Sequence, residues 1–268
     1  MRTLAFADPC FKDMDCVVTI GVFDGLHLGH QKIVEQCVQI ARETGSESVV
    51  VSFNINPKMA KGTEQKLKSL MSPSSFDDFL AEKGVKYHCI IDFSDDMSKL
   101  SGEEFIALLG TSYRLRAMVV GSSFRCGNPA SSAGPAEIET LLRRYTSSAF
   151  LKVVPPVLQD GMEVSSSLIR RCLLTGDVQT ACALLGRAYQ VDLEDYSSGS
   201  SGERLLYSIR TLGQLLPKDG TYKTRVAGKA SEAPTSNPVD CDASAVISGD
   251  SLALELQVRM KPDRIYFL

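Results

Sequence analysis

The first 190 residues alternate short apolar runs with stretches in which apolar residues recur at helical spacing. CVVTIGVF (16–23) is a β-branched run ending near glycine, and HQKIVEQCVQIARETG (30–45) places Ile33, Cys37 and Ile40 at helical spacing before a terminating glycine. SVVVSF (48–53) reads as a second strand and is followed by a proline-containing loop. YHCIIDF (87–93), a helix from Ser101 through Leu109 and the strand RAMVVG (116–121) continue the alternation. Apolar strands separated by helices are the pattern of a parallel sheet covered on both faces, so the predicted fold is α/β, a doubly wound Rossmann-like domain. Residues 164–188 read as two helices divided by a turn at Gly176 and Asp177, with Ser165 or Ser166 as the N-cap.

After Val191 the pattern changes. SSGSSGE (197–203) reads as a flexible segment and GKASEAPTSNPVDCD (228–242) as a long polar loop, whereas GTYKTRVAG (220–228) and SLALELQVRM (251–260) alternate as half-buried strands do. The predicted organisation is a domain over residues 1–190 and a small β-rich module over 191–268, of a size at which a separate core is marginal.

Composition narrows the function classes. The formal net charge of −3 supplies no basic field, so nucleic acid is not an expected partner and any polyanion must be held by a local site. The segment MRTLAFADPCFKDMDC is broken by charges and a proline before a signal-length apolar run develops, and no stretch approaches membrane-spanning length, so the expected location is cytoplasmic, with no membrane partner. Eight cysteines are scattered without C-x-x-C spacing and point to reduced, mostly buried thiols.

The candidate chemistry sits in GVFDGLHLGH (21–30), which holds two of the three histidines in the chain. A strand that turns at Asp24-Gly25 into a helix beginning near Gly29 presents free backbone N–H groups, which favour an anion. Gly21 and Gly25 allow close approach of a phosphate or ribose, and His27 and His30 stand at i and i+3. Three readings are open at this point: a phosphate clamp, a zinc pair, or histidines that only cap and pack. A zinc pair lacks a third ligand at metal spacing, because His88 lies within an apolar strand, and no metal-ligand set is assigned.

GVFDGLHLGH resembles the G-x-F-D-G-x-H-x-G-H form of the H-x-G-H signature in bacterial FAD synthetases, the bifunctional riboflavin kinase/FMN adenylyltransferases. VVGSSFRCG (119–127) resembles that family's V-V-G-x-D-F-R-F-G, and VSSSLIRRCLLTGDVQTACALLGRAY (164–189) resembles its S-S-T-x-I-R stretch and L-L-G-R helix end. The three blocks follow in order over about residues 15–190. The resemblance implies transfer of AMP from ATP to FMN with release of pyrophosphate, and Mg2+ bridging the phosphates. It implies that His27, His30 and Arg170 are catalytic, that Gly21, Val22, Phe23 and Gly29 hold ATP with the histidines, and that Ser165, Ser166 and Arg170 grip the β- and γ-phosphates. The FMN phosphate is already an anion at neutral pH, so such a reaction needs positioning and charge stabilisation more than a strong base. For Arg125 two readings stand, nucleotide binding and loop stabilisation; Asp24 reads as a cap of its turn.

The chain departs from the family on the flavin side. SFNINPK (52–58) stands where the family has T-F-[D/E]-P-H-P, so Asn54 and Asn56 replace an acid and a histidine, and GNPAS (127–131) replaces G-x-N-A-S. The flavin-side candidates are therefore Asn54, Asn56, Phe124, Arg125 and Asn128. In the tail, GERLLYSIRT (202–211) stands where the resemblance calls for G-R-x-L-G-F-P-T-A-N, with Ser208-Ile209-Arg210-Thr211 in place of Pro-Thr-Ala-Asn. The expectation is a truncated or degenerate β-barrel-like riboflavin kinase module whose activity is lost or weakened; Glu255, in a late strand, reads as an exposed residue. Two other functions remain open on sequence: nucleotidyl transfer to a different phosphorylated acceptor, and ATP or flavin binding without turnover.

Overall fold

The apolar runs of the first half assemble as parallel strands. The computed structural model describes residues 1–53, 68–92, 95–146, 148–201, 204–230, 238–257 and 260–268. In chain order it begins with β1 (Arg2–Ala5), β2 (Asp15–Ile20), α1 (Leu28–Thr44), β3 (Glu47–Phe53), α2 (Pro73–Glu82) and β4 (Tyr87–Ile91). There follow α3 (Asp95–Lys99), α4 (Gly102–Ser112), β5 (Arg114–Gly121), α5 (Pro135–Tyr145) and β6 (Phe150–Val154). The strand order is β1-β4-β3-β2-β5-β6, with every neighbouring pair parallel.

Residues 16–20 of β2 and 48–52 of β3 are all buried, which is why these strands read as largely apolar runs. Cys16, Val18 and Ile20 belong to a core with Phe11, Phe105, Leu109 and Ile138, while Val17 packs with Cys37, Ile40 and Ala41 of α1 in a second core. Helices therefore cover both faces, as in a doubly wound sheet. The chain winds from β2 outward through β3 and β4, then returns to the other side of β2 for β5 and β6. The end of β2 is thus the point where strand order reverses, the usual place for a ligand crevice in such sheets.

Element ends follow local chemistry. Ser101 caps α4 by accepting from Glu104 N while the Glu104 carboxylate accepts from Ser101 N, a reciprocal capping box. β2 stops at Ile20, short of the predicted strand end, because Phe23 has φ +48 and cannot continue a strand.

Two compact units form. The first comprises Met1–Phe23, Gly29–Leu67 and Phe76–Glu163, and includes the hairpin of β7 (Leu158–Gln159) and β8 (Met162–Glu163). The second comprises Asp24–Leu28, Lys68–Ser75 and Val164–Leu268. It holds α6 (Ser166–Thr175), α7 (Val178–Leu185), β9 (Tyr189–Asp192), β10 (Gly199–Ser201), β11 (Arg204–Ser208), β12 (Gly220–Ala230), β13 (Pro238–Ser248), β14 (Ser251–Leu256) and β15 (Met260–Phe267). These strands form an antiparallel sheet in the order β10-β11-β14-β13-β12-β15-β9.

Residues 164–190, grouped by sequence with the first domain, pack in the second unit. β9 pairs with β15, the Cys182 thiol donates to Phe267 O at 3.6 Å, and the Tyr189 and Phe267 rings lie 6.1 Å apart. The turn between the helices is as predicted: Gly176 adopts φ +87 and the Asp177 side chain caps α7. Two polar segments are strands instead of loops. β10 falls inside SSGSSGE, and β13 begins inside the predicted loop over 228–242. β13 is central in its sheet, where ladders on both sides hold a segment in which Ala245 and Ile247 are buried and Asp240 stays exposed. All eight cysteines are free thiols, five of them buried. No helix among the described residues is long and apolar enough to cross a membrane.

The loop after β5 is held against the start of α4. Gly127 has φ +87, and a Cβ there would overlap the backbone of Ser101 and Gly102. Gly127→Ala is expected to destabilise the protein by about 2 kcal/mol or more, through left-handed strain and overlap together. Urea unfolding measures this; a wild-type midpoint would contradict the packing described.

Candidate active site

The stretch after β2 is a strained turn. Phe23, Gly25 and Leu26 have φ of +48, +80 and +41, and two of the three are bulky residues for which such angles cost of order 1–3 kcal/mol each. Gly25 needs its missing side chain as well, since a Cβ would lie 3.0 Å from Leu70 Cβ. Phe23 is 2% exposed and Leu26 fully buried, so apolar burial offsets part of the strain.

Hydrogen bonds hold the rest of the turn, all within the second unit. The Asp24 carboxylate accepts from Leu70 N at 2.8 Å and forms an ion pair with the Arg170 guanidinium, whose Nη1 also donates to Lys68 O at 2.6 Å. The side chains of Arg170 and Asp24 are 12% and 15% exposed. Ser166 Oγ donates to Asp24 O at 2.9 Å, and Arg187 donates to Gly25 O at 2.7 Å and Leu26 O at 3.0 Å. Ser165 is the N-cap of α6, its hydroxyl accepting from Leu168 N. Ser165, Ser166 and Arg170, predicted as phosphate contacts, are thus engaged with their own helix or with the Asp24 turn. Asp24 binds Leu70 and Arg170 instead of capping its own turn. Spacing gives no sign of either partner, nor of the Arg187 contacts, which reach about 160 residues back along the chain.

The two histidines differ. His27 precedes α1, in the second unit, and is 6% exposed. Burial, reinforced by the nearby Arg187 charge, pushes its imidazole down to about 4, so it is neutral near pH 7. His30 lies in the first turn of α1, in the first unit, half-buried, with its ring edge-on to Phe23 at 5.3 Å. A neutral imidazole still carries one N–H donor, which is what a phosphate oxygen requires. Gly29 is the second residue of α1, Val22 is exposed, and Gly21 N donates to Val51 O at 3.1 Å.

On the flavin side, Phe124 packs on the first core. Arg125 donates to Ser132 Oγ and O, and Asn128 accepts from Ala130 N and Ser131 N while donating to Lys99 O. Both polar residues therefore shape the loop after β5. Asn54 and Asn56 lie outside the described residues. His88 joins Ser52 Oγ and Asp77 Oδ1, each at 2.7 Å, which accounts for an imidazole in an apolar strand.

A doubly wound parallel sheet and, in the same chain, an antiparallel β module define the class of protein. The FAD synthetase family model matches residues 11–168, and the chain belongs to that family. It is 26% identical over 214 residues to a bifunctional riboflavin kinase/FMN adenylyltransferase of Bacillus subtilis, covering 78% of this chain and 66% of the relative. It is 26% identical over 241 residues to a protein of that description from Listeria monocytogenes, covering 85% of this chain and 75% of the relative. A crystal structure titled macrolide-efflux protein, from Streptococcus pneumoniae, superposes with a TM-score of 0.80 over 100% of this chain and 89% of that chain at 22% identity, a likeness of fold.

Two outcomes follow from this geometry. Asp24→Ala leaves the mostly buried Arg170 without its counter-charge and is expected to cost about 3 kcal/mol in chemical denaturation. His27 titrates near 6.5 when unfolded but near 4 when folded, so between these values the unfolded chain binds more protons and stability falls as pH falls from about 6.5 to about 4. Urea midpoints across that range should fall less steeply in His27→Gln than in the wild type.

Proposed function

We propose that the chain transfers AMP from ATP to FMN, forming FAD and releasing pyrophosphate. The observation that carries this is the over-determined turn at Phe23–Leu26, which leads through His27 into the first backbone N–H groups of α1. In the reaction an FMN phosphate oxygen bonds to the α-phosphorus of ATP as the bond from that phosphorus to the bridging oxygen breaks, and pyrophosphate leaves. His27 and His30 donate hydrogen bonds to the ATP phosphates, and the helix start adds further donors. Gly21, Val22, Phe23 and Gly29 supply the nucleotide-binding backbone. Ser166 and Arg170 belong to this scheme as groups that brace the loop, with Arg170 adding positive charge beside it, and Ser165 as the N-cap that starts their helix.

Among the described residues no three His, Cys, Asp or Glu side chains gather as a metal site, and the Asp24 carboxylate is already engaged. Mg2+ therefore enters this reading bound to the ATP phosphates, with no resident protein site assigned. Phe124, Arg125 and Asn128, with Asn54 and Asn56, form the proposed acceptor side, in a cytoplasmic enzyme of small molecules.

Riboflavin kinase activity is proposed to be lost or severely weakened. In the segment that stands for the kinase signature, Arg210 pairs with Asp250 at the surface, and Glu255 pairs with Arg204 across β11 and β14. Incubation with ATP, Mg2+ and either FMN or riboflavin, followed by chromatography, tests both claims. FAD is expected from FMN and no FMN from riboflavin; FMN from riboflavin would refute the loss of the kinase. His27→Gln and His30→Gln are each expected to lower kcat about 100-fold or more while the protein stays folded. Wild-type FAD formation by a folded double variant would sink the phosphate-donor assignment.

A further inference from the structure

We propose that Arg187 is a positioning residue for adenylyl transfer, holding the backbone of Gly25 and Leu26 so that His27 keeps one place at the helix entrance. This rests on the reading of His27 as a phosphate donor given above.

The geometry is specific to a forked cation. Nη2 donates to Gly25 O at 2.7 Å and Nη1 to Leu26 O at 3.0 Å, so one planar group serves two consecutive carbonyls of a left-handed turn. Nη1 also donates to Leu185 O at 3.3 Å, the last residue of α7. An arginine that only finished its own helix would stop at that third contact. Instead the side chain ties the helix end to the residues directly before His27. Leu26 is fully buried and non-glycine at φ +41, a conformation that persists only when its surroundings hold it.

The consequence is positional and electrostatic together. His27 follows Leu26 directly, so release of the two carbonyls lets the Leu26 backbone relax and carries the imidazole with it. A shift of about 1 Å in a catalytic donor is enough to lower a rate about 100-fold. The Arg187 charge also adds to the effect of burial in keeping the imidazole neutral. Lysine at 187 would keep the charge but, with one nitrogen in place of a planar fork, not the paired geometry.

The test compares Arg187→Lys and Arg187→Gln with His27→Gln, alone and combined, in FAD formation from ATP and FMN. Each folded Arg187 variant is expected to lower kcat about 10- to 100-fold with little change in the KM for FMN. In the His27→Gln background the same substitutions should have little further effect. NMR of the imidazole rings, only three in the chain, should show the His27 signals displaced in Arg187→Lys and the His88 signals unmoved. Equal losses in the wild-type and His27→Gln backgrounds would overturn the proposal, as would a folded Arg187→Lys with wild-type kcat and unmoved His27 signals. If Arg187→Gln fails to fold, Arg187→Lys decides alone. Absence of FAD formation by the wild type would remove the adenylyl-transfer reading, while the His27 signals would still report whether Arg187 places that ring.

Discussion

Asp24 and Arg170 form an ion pair with both side chains largely withdrawn from water, and the turn that leads to the histidines is built around it. A chain passing through φ of +48, +80 and +41 within four residues would relax if left to itself. The Asp24 carboxylate fixes one side of that turn to Leu70 and Arg170, and its carbonyl takes the Ser166 hydroxyl. Desolvating the two charges is costly, and the further bonds to Leu70 N and Lys68 O are what make the arrangement tenable. Catalysis that depends on placement more than on proton transfer needs a rigid loop, and strain held by surrounding contacts is one way to obtain it.

The segment Lys68–Ser75 links this turn to the β module of the second unit. Lys68 accepts from Arg170 through its carbonyl, and its ammonium donates to Ile209 O, just after β11. Ser69 exchanges backbone bonds with Gly213 and Leu215, while Ser72 and Ser75 donate to Asp192 of β9, which also pairs with Arg264. The module thus takes part in holding the residues that hold Asp24.

Much of the fold was legible because burial on both faces leaves a direct mark on sequence. β2, β3, β4 and β5 were visible as apolar runs, α4 as a helix near Ser101–Leu109, and the start of α6 as a capping serine. β10 and β13 were not, since their stability comes from ladder partners far away in the chain, and a serine- or aspartate-rich strand reads as a loop. The candidate site was legible as a list of residue types. Asn128 and Arg125 show what a list leaves out: each also holds its own loop, through bonds to Ser132 and to Lys99 and Ala130.

By itself the sequence determined the parallel α/β class, the position of the glycine-framed turn, the two histidines beside a helix start, and the likeness of three ordered blocks to one family. These are properties of local pattern, set by periodicity, φ preference and residue chemistry over a few positions. Only the tertiary structure decided that Arg170 faces a carboxylate, that Arg187 grips two carbonyls from the far end of the motif, and that His27 is buried and neutral. Those outcomes depend on desolvation and on partners more than 100 residues apart, and neither can be read from spacing along a chain.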